Sequence, residues 1–154
     1  MRVRTLTIPI LIFVLSISGV SAQVDYSKLR DRYQLSCRIV DSVELQEAKV
    51  FYDSIAQFDI RPGLMEFYSD YAFLHYLMYL KWSNRDDLKI AANSYKYCWV
   101  KHQDMDALWS LGMVYGALGD CKQSIWFTER YLEERPDAEI DYKQVYLRYK
   151  ACLD

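Results

Sequence analysis

The sequence predicts an all-α protein of stacked antiparallel helical hairpins over residues 23–154, about three hairpins followed by a C-terminal capping helix. Apolar residues recur at i, i+3, i+4 and i+7 through nearly all of that stretch, the spacing of one buried helix face. Turn formers are sparse: beyond residue 22 the Gly and Pro residues are Gly63, Gly112, Gly116, Gly119, Pro62 and Pro136. An all-β chain of this length would need many more, because tight turns draw on Gly, Pro and Asn. Short turns between helices of comparable length make sequence neighbours antiparallel.

Before that domain comes an address. Arg2 and Arg4 precede an uncharged, mostly apolar run from Leu6 to Val20, and small residues follow at Val20-Ser21-Ala22. Basic start, apolar middle and small-x-Ala end form the layout of a secretory signal, with cleavage expected after Ala22. The run is shorter than the ~20 residues a spanning helix needs, and it contains Pro9, Ser16, Ser18 and Gly19. The apolar stretch Tyr71–Leu80 is also too short to span, so no stable membrane insertion is expected after cleavage. A short leader ending in Ala22-Gln23 is similar to those of exported proteins of the Bacteroidetes group. That resemblance implies the periplasm, with a eukaryotic secreted protein as the alternative.

The helices follow in order. Leu29, Tyr33, Leu35, Ile39 and Val40 predict a first helix. Val43, Leu45, Ala48, Val50, Phe51, Ile55 and Phe58 predict a second, opened by Asp41-Ser42 as capping residues. Asp59–Gly63 reads as a break, since Pro62 restricts the residue before it and Gly63 permits a turn. A strongly apolar third helix runs from Leu64 to about Trp82, with a turn at Ser83-Asn84-Arg85. The fourth runs from Asp86 to about Val100, and a fifth, capped by Asp104, reaches Ala117. After the tight turn Leu118-Gly119-Asp120, the sixth spans Cys121 to Glu134, where Arg135-Pro136 stops it. A last helix opens at Asp137.

Part of this chain resembles a known repeat. Ala107-Leu108-Trp109-Ser110-Leu111-Gly112-Met113-Val114-Tyr115, followed by Leu118-Gly119-Asp120, is similar to the first helix and turn of a tetratricopeptide repeat. Ser124-Ile125, Leu132 and Pro136 continue the pattern. Gly112 and small Ser124 would let the two helices approach closely, with Leu111 and Tyr115 filling the hairpin core. The pattern returns 34 residues on at Tyr142, Val145, Tyr146 and Tyr149, and 33 back at Ala91, Ala92, Tyr95 and Cys98. A further step back, to Ala48, Tyr52 and Ile55, is 43 residues, so the period slips there. Residues 106–136 match best, although Thr128 and Tyr131 replace the usual aromatic and small residues. The resemblance implies a concave groove lined by the first helix of each hairpin. On this chain those positions include Tyr33, Tyr76, Leu80, Trp109, Met113, Lys143 and Leu147, an apolar and aromatic set suited to an extended peptide or apolar helix. The same stripe could instead be core.

Composition narrows the function further. The full chain carries a net charge of −2; both leader arginines are lost and no acid with them, so residues 23–154 carry −4. No basic stripe is present, and no nucleic-acid partner is expected. The two histidines differ: His75 lies in the apolar third helix and is expected to be buried, whereas His102 should meet solvent. No His-x-x-x-His, Cys-x-x-Cys or Glu-x-x-His spacing suggests a metal, and no Gly-rich loop suggests a phosphate cofactor. Asp86-Asp87 is explained by the positive end of the fourth helix, and Glu133-Glu134 by a solvated face. The four cysteines of an exported chain invite a disulfide. Antiparallel packing of the sixth and last helices would bring Cys121 beside Cys152, whereas Cys37 and Cys98 are expected to stay free. The expectation is a non-catalytic adaptor for a protein or peptide, without cofactor or metal. A small exported enzyme and a carrier of an apolar ligand are the alternatives.

Overall fold

The computed structural model of the 154-residue chain describes residues 23–27, 42–60, 63–137 and 146–147. Among them it forms five helices: α1 (Ser42–Ile55), α2 (Leu64–Trp82), α3 (Arg85–His102), α4 (Met105–Leu118) and α5 (Cys121–Glu134). Tyr146 and Leu147 are also helical. The expected leader, the expected first helix and most of the expected last helix lie outside the described residues.

Two boundaries differ from expectation at the N-terminal end. α1 stops at Ile55 rather than Phe58, because a turn follows in which the Phe58 amide donates to the Ile55 carbonyl. The break after it is not all loop. β2 (Asp59–Ile60) pairs in parallel with β1 (Gln23–Val24), with Gln23 opposite Asp59. Two residues per strand leave no alternation to read in the sequence.

The turns between α2, α3, α4 and α5 share one design. Each has two residues, a left-handed one and then an Asx cap: Ser83-Asn84, Gln103-Asp104 and Gly119-Asp120. The left-handed residues (φ 56°, 54° and 80°) send their amides back to carbonyls of the helix just ended. Next, Asn84 accepts from the Asp86 amide at 3.1 Å, Asp104 from Asp106 at 3.0 Å and Asp120 from Gln123 at 3.1 Å. Each carboxylate or amide oxygen thus satisfies an orphan donor of the next helix. Such short links reverse the chain direction, and α2 packs on α3, α3 on α4 and α4 on α5. Arg85 ties two of these ends together, donating at 2.7 Å to the Leu118 carbonyl at the end of α4.

The apolar interior is divided into two clusters. One holds Tyr26, Leu45, Ala48, Tyr52, Ile55, Ile60, Phe67, Leu74 and Met78, from β1 to α2. The other gathers Ala72 of α2 with Leu88, Ala91, Tyr95, Leu108, Leu111, Val114, Phe127 and Tyr131 of α3 to α5. Burial repeats with the expected 33-residue step: Ala91, Ala92, Tyr95 and Cys98 are buried in α3, as are Ser124, Ile125, Thr128 and Tyr131 in α5. Across the 43-residue slip, Ala48, Tyr52 and Ile55 are buried in α1.

The α4–α5 hairpin is closed by a residue without a side chain. A Cβ on Gly112 would fall on the Thr128 hydroxyl, and the Gly112 carbonyl accepts from Ser124 Oγ at 2.7 Å. Tyr115 stacks on Phe127 with centroids 5.5 Å apart and planes 10° off parallel. Gly63 is equally constrained, at φ 91°, where a Cβ would meet the Ser27 amide nitrogen at 2.8 Å.

Gly112→Ala should therefore destabilise the fold by about 1–3 kcal/mol through overpacking, and adding Thr128→Ala should recover part of the loss. Gly119→Ala, where a Cβ meets nothing within 4 Å, should cost only the left-handed backbone term, about 1 kcal/mol. Urea denaturation of the three variants checks the order.

Candidate functional site

A cleft of about 90 Å³ opens where α2, α3 and α4 meet, lined by Phe73, Tyr76, Tyr95, Ser110, Met113 and Val114. Its floor belongs to the core: Tyr95 and Val114 are buried. Its walls are half-buried side chains from α2 and α4, two turns of apolar surface set side by side. The polar groups are already committed. Ser110 Oγ donates to the Asp106 carbonyl at 2.8 Å. Burial pushes the Tyr95 phenol above its ordinary range, partly opposed by the Ser110 hydroxyl. No carboxylate, imidazole or amine is among the six lining residues, so the cleft offers shape and apolar contact rather than acid–base chemistry.

The expected groove residues divide on this surface. Tyr76 and Met113 line the cleft together, from the first helices of adjacent hairpins. Trp109 does not join them: it is half-buried and packs on Tyr131 of α5 with centroids 5.5 Å apart. Leu80 and Leu147 are exposed, at 59% and 60%. Tyr33 and Lys143 lie outside the described residues. Phe73, Tyr95, Ser110 and Val114 were not expected at the site. Phe73 lies three residues before Tyr76, one turn away on the same face, so the helical spacing could have found it.

A second cluster is polar and internal. His75 and Asp87 are 1% and 4% exposed, and Nδ1 of the ring lies 2.7 Å from Oδ1 of the carboxylate. An ionised carboxylate only accepts, so Nδ1–H donates and Nε2 carries the lone pair of the neutral ring. Among the described residues Nε2 has no hydrogen-bond partner. Burial lowers the His75 pKa from its ordinary 6.5, against the opposing pull of Asp87 and Asp53. The ring meets Tyr71 edge-on at 4.6 Å, and Tyr71 donates to Asp53 of α1 at 3.0 Å. Burial, reinforced by Asp53, raises the Tyr71 phenol. Asp53 also pairs with Lys49. Asp86 and Asp87 both stand in the first turn of α3, as expected, but their side chains part. Asp86 is solvent-exposed and pairs with Lys89 at 2.6 Å, whereas Asp87 points inward to His75. Adjacent helix positions lie about 100° apart, which lets one acid face solvent while its neighbour faces the interior.

Tyr26 fixes the N-terminal strand. Its hydroxyl donates to Asp70 at 2.8 Å and lies 2.7 Å from that of Tyr52, which must then be the donor. Its ring sits edge-on to Phe67 at 5.2 Å. Among the cysteines, Cys98 is free and buried, and burial pushes its thiol up to about 12. Cys121 is half-buried and engaged, while Cys37 and Cys152 lie outside the described residues. Among the described residues no group of three or more His, Cys, Asp or Glu is placed to hold a metal, and no helix is long and apolar enough to cross a membrane. No known family model matches the chain, and no curated protein or solved structure matches it significantly.

Asp87→Ala should leave the buried Nδ1–H of His75 without a partner and cost about 1–3 kcal/mol. Asp86→Ala should shift the thermal midpoint far less.

Proposed function

We propose that this chain is an exported, non-catalytic helical-repeat adaptor that holds an apolar side chain of a protein or peptide partner in the α2–α3–α4 cleft. The cleft itself is the observation that carries the reading: Phe73 and Tyr76 face Met113 across about 90 Å³, room for one apolar side chain. An apolar site whose polar groups are internally satisfied gains affinity from burying an apolar guest and nothing from chemistry. The 33-residue repeat of buried positions and the Gly112–Thr128 close approach support a tetratricopeptide-like stack. In such a stack the first helix of each hairpin faces the partner. The cleft's size favours a peptide side chain over a carried apolar ligand, which would need several hundred Å³.

A displayed random-peptide library tests this. Sequences with a single large apolar anchor should be enriched on the protein, and Met113→Asp and Tyr76→Ser should abolish the enrichment. Val50→Asp, at a 61% exposed position on α1, should leave it unchanged. Enrichment that survives both cleft substitutions would remove the cleft from the reading.

The leader and cysteines make the export half testable separately. Expressed with its leader in a bacterial host, the protein should be recovered from the periplasm beginning at Gln23, as Edman or mass analysis would show. We propose the Cys121–Cys152 bridge for that product, closing a loop of about 30 residues and contributing roughly 3 kcal/mol. Alkylation without reductant should label neither of these two cysteines, and peptide mapping should recover them as one linked species. The buried Cys98 should react only after denaturation.

A further inference from the structure

His75 is the one buried side chain among the described residues with a nitrogen left without a hydrogen-bond partner, and the cleft makes no use of it. We infer that His75 is an acid-operated latch: its protonation releases α1 and the β1 strand from α2 while the α2–α5 stack stays folded.

The geometry that argues for this is the thread of polar groups crossing three helices. α3 presents Asp87, which accepts from Nδ1 at 2.7 Å. α2 presents Tyr71, edge-on to the ring at 4.6 Å. From α1 come Asp53, which attracts a charge on the ring, and Lys49, which opposes it. In the neutral state each link of the thread has a donor and an acceptor: Nδ1–H on Asp87, the Tyr71 hydroxyl on Asp53, and the Lys49 ammonium on Asp53. A proton added at Nε2 creates a buried, charged donor that no acceptor among the described residues meets as they stand, a costly arrangement unless the surroundings move.

Two movements are open, and both act on α1. The ring can swing toward solvent, which removes the edge contact that supports Tyr71. Alternatively, Asp53 can turn toward Nε2, which gives up the Tyr71–Asp53 bond joining α1 to α2. The contact between α1 and α2 is less extensive than those joining α2 to α3, α3 to α4 and α4 to α5. It also closes an interior separate from that of α3 to α5. Release can therefore stop at α2. It would uncover Tyr52, Phe67 and Leu74, an apolar surface hidden at neutral pH.

The sign of the effect follows from linkage. The closed state holds His75 below 6.5, the ordinary histidine value, which an opened chain would regain. The open state thus binds the proton more readily. The latch is fully closed above about pH 6.5, and weakens as pH falls from there toward the lower closed-state value. Between pH 7.5 and 5.5 the open fraction should rise, by up to about tenfold, a window in which carboxylates with ordinary values near 3.9 stay ionised.

Hydrogen exchange with mass readout, corrected for intrinsic rates, tests the inference on the protein at these two pH values. Protection factors in 43–55 should fall at pH 5.5, by up to about tenfold, while those in 88–100 and 107–134 hold. The double variant His75→Phe/Asp87→Leu, which replaces the pair by apolar groups, should lose this pH response. Should that variant fail to fold, an NMR titration of His75 in a His102→Gln background takes its place. The His75 ring signal should then titrate together with the loss of α1 protection. Unchanged α1 protection at pH 5.5, a uniform fall across all helices, or His75 titrating while α1 stays protected would each overturn the latch.

Discussion

One helix serves two interiors, and the rest of the molecule is arranged around it. α2 sends Phe67, Leu74 and Met78 into the cluster shared with α1 and β1, and Ala72 into the cluster shared with α3, α4 and α5. Met65, Tyr68, Tyr76 and Tyr79 pack against the second cluster from its partly buried flank. A helix apolar on most of its circumference cannot lie at the edge of a structure; it must be covered on both sides. That requirement draws α1 and the N-terminal strand onto one side, and the remaining helices onto the other. Tyr68 touches both clusters and lies tilted by 43° against Tyr97 of α3, with centroids 4.4 Å apart.

The two sides are not built alike. On the α3–α5 side, close approach is achieved by small residues: Gly112 against Thr128, Ser124 beneath the Gly112 carbonyl, and Ala91 and Ala92 at the matching places in α3. On the α1 side the interior is aromatic and polar, with Tyr26, Tyr52 and Asp70 joined by hydroxyl hydrogen bonds and Lys49, Asp53, Tyr71, His75 and Asp87 forming a second string. Hydrogen-bonded interiors depend on every partner being in place, because a single unsatisfied group carries its full desolvation cost. An apolar interlock tolerates pH; a polar one responds to it. The cleft sits on the apolar side and the string through His75 on the other, so the proposed binding and the proposed acid response fall in different parts of one stack.

Much of the helical layout was legible because local signals coincided. Asn84, Asp104 and Asp120 are cap residues placed where the apolar period breaks, and the helices begin within a residue of them. Gly112 and Ser124 were readable as a close approach because small residues stood at repeat spacing in facing helices. The cleft was half legible. Tyr76 and Met113 fell on it, but Trp109, one turn before Met113, turned to Tyr131 instead. A residue four positions from a groove residue shares its general face, yet which neighbouring helix claims it depends on how the hairpin is rotated. Ser83 and Gln103 carry left-handed turns that no glycine announces; their amides close on the Tyr79 and Trp99 carbonyls of the helices they end.

By itself, the sequence determined the number and limits of the helices between Leu64 and Glu134, the turn chemistry that joins them, and the small-residue contact of α4 with α5. These are matters of neighbours along the chain and of a fixed 3.6-residue period. Only the tertiary structure decided that Gln23–Val24 pairs with Asp59–Ile60, that Asp87 rather than Asp86 turns inward, and that Nε2 of His75 meets no partner among the described residues. Each of those brings together groups from separate elements, and a hydrogen bond set by a few tenths of an ångström leaves no periodic trace in the order of residues.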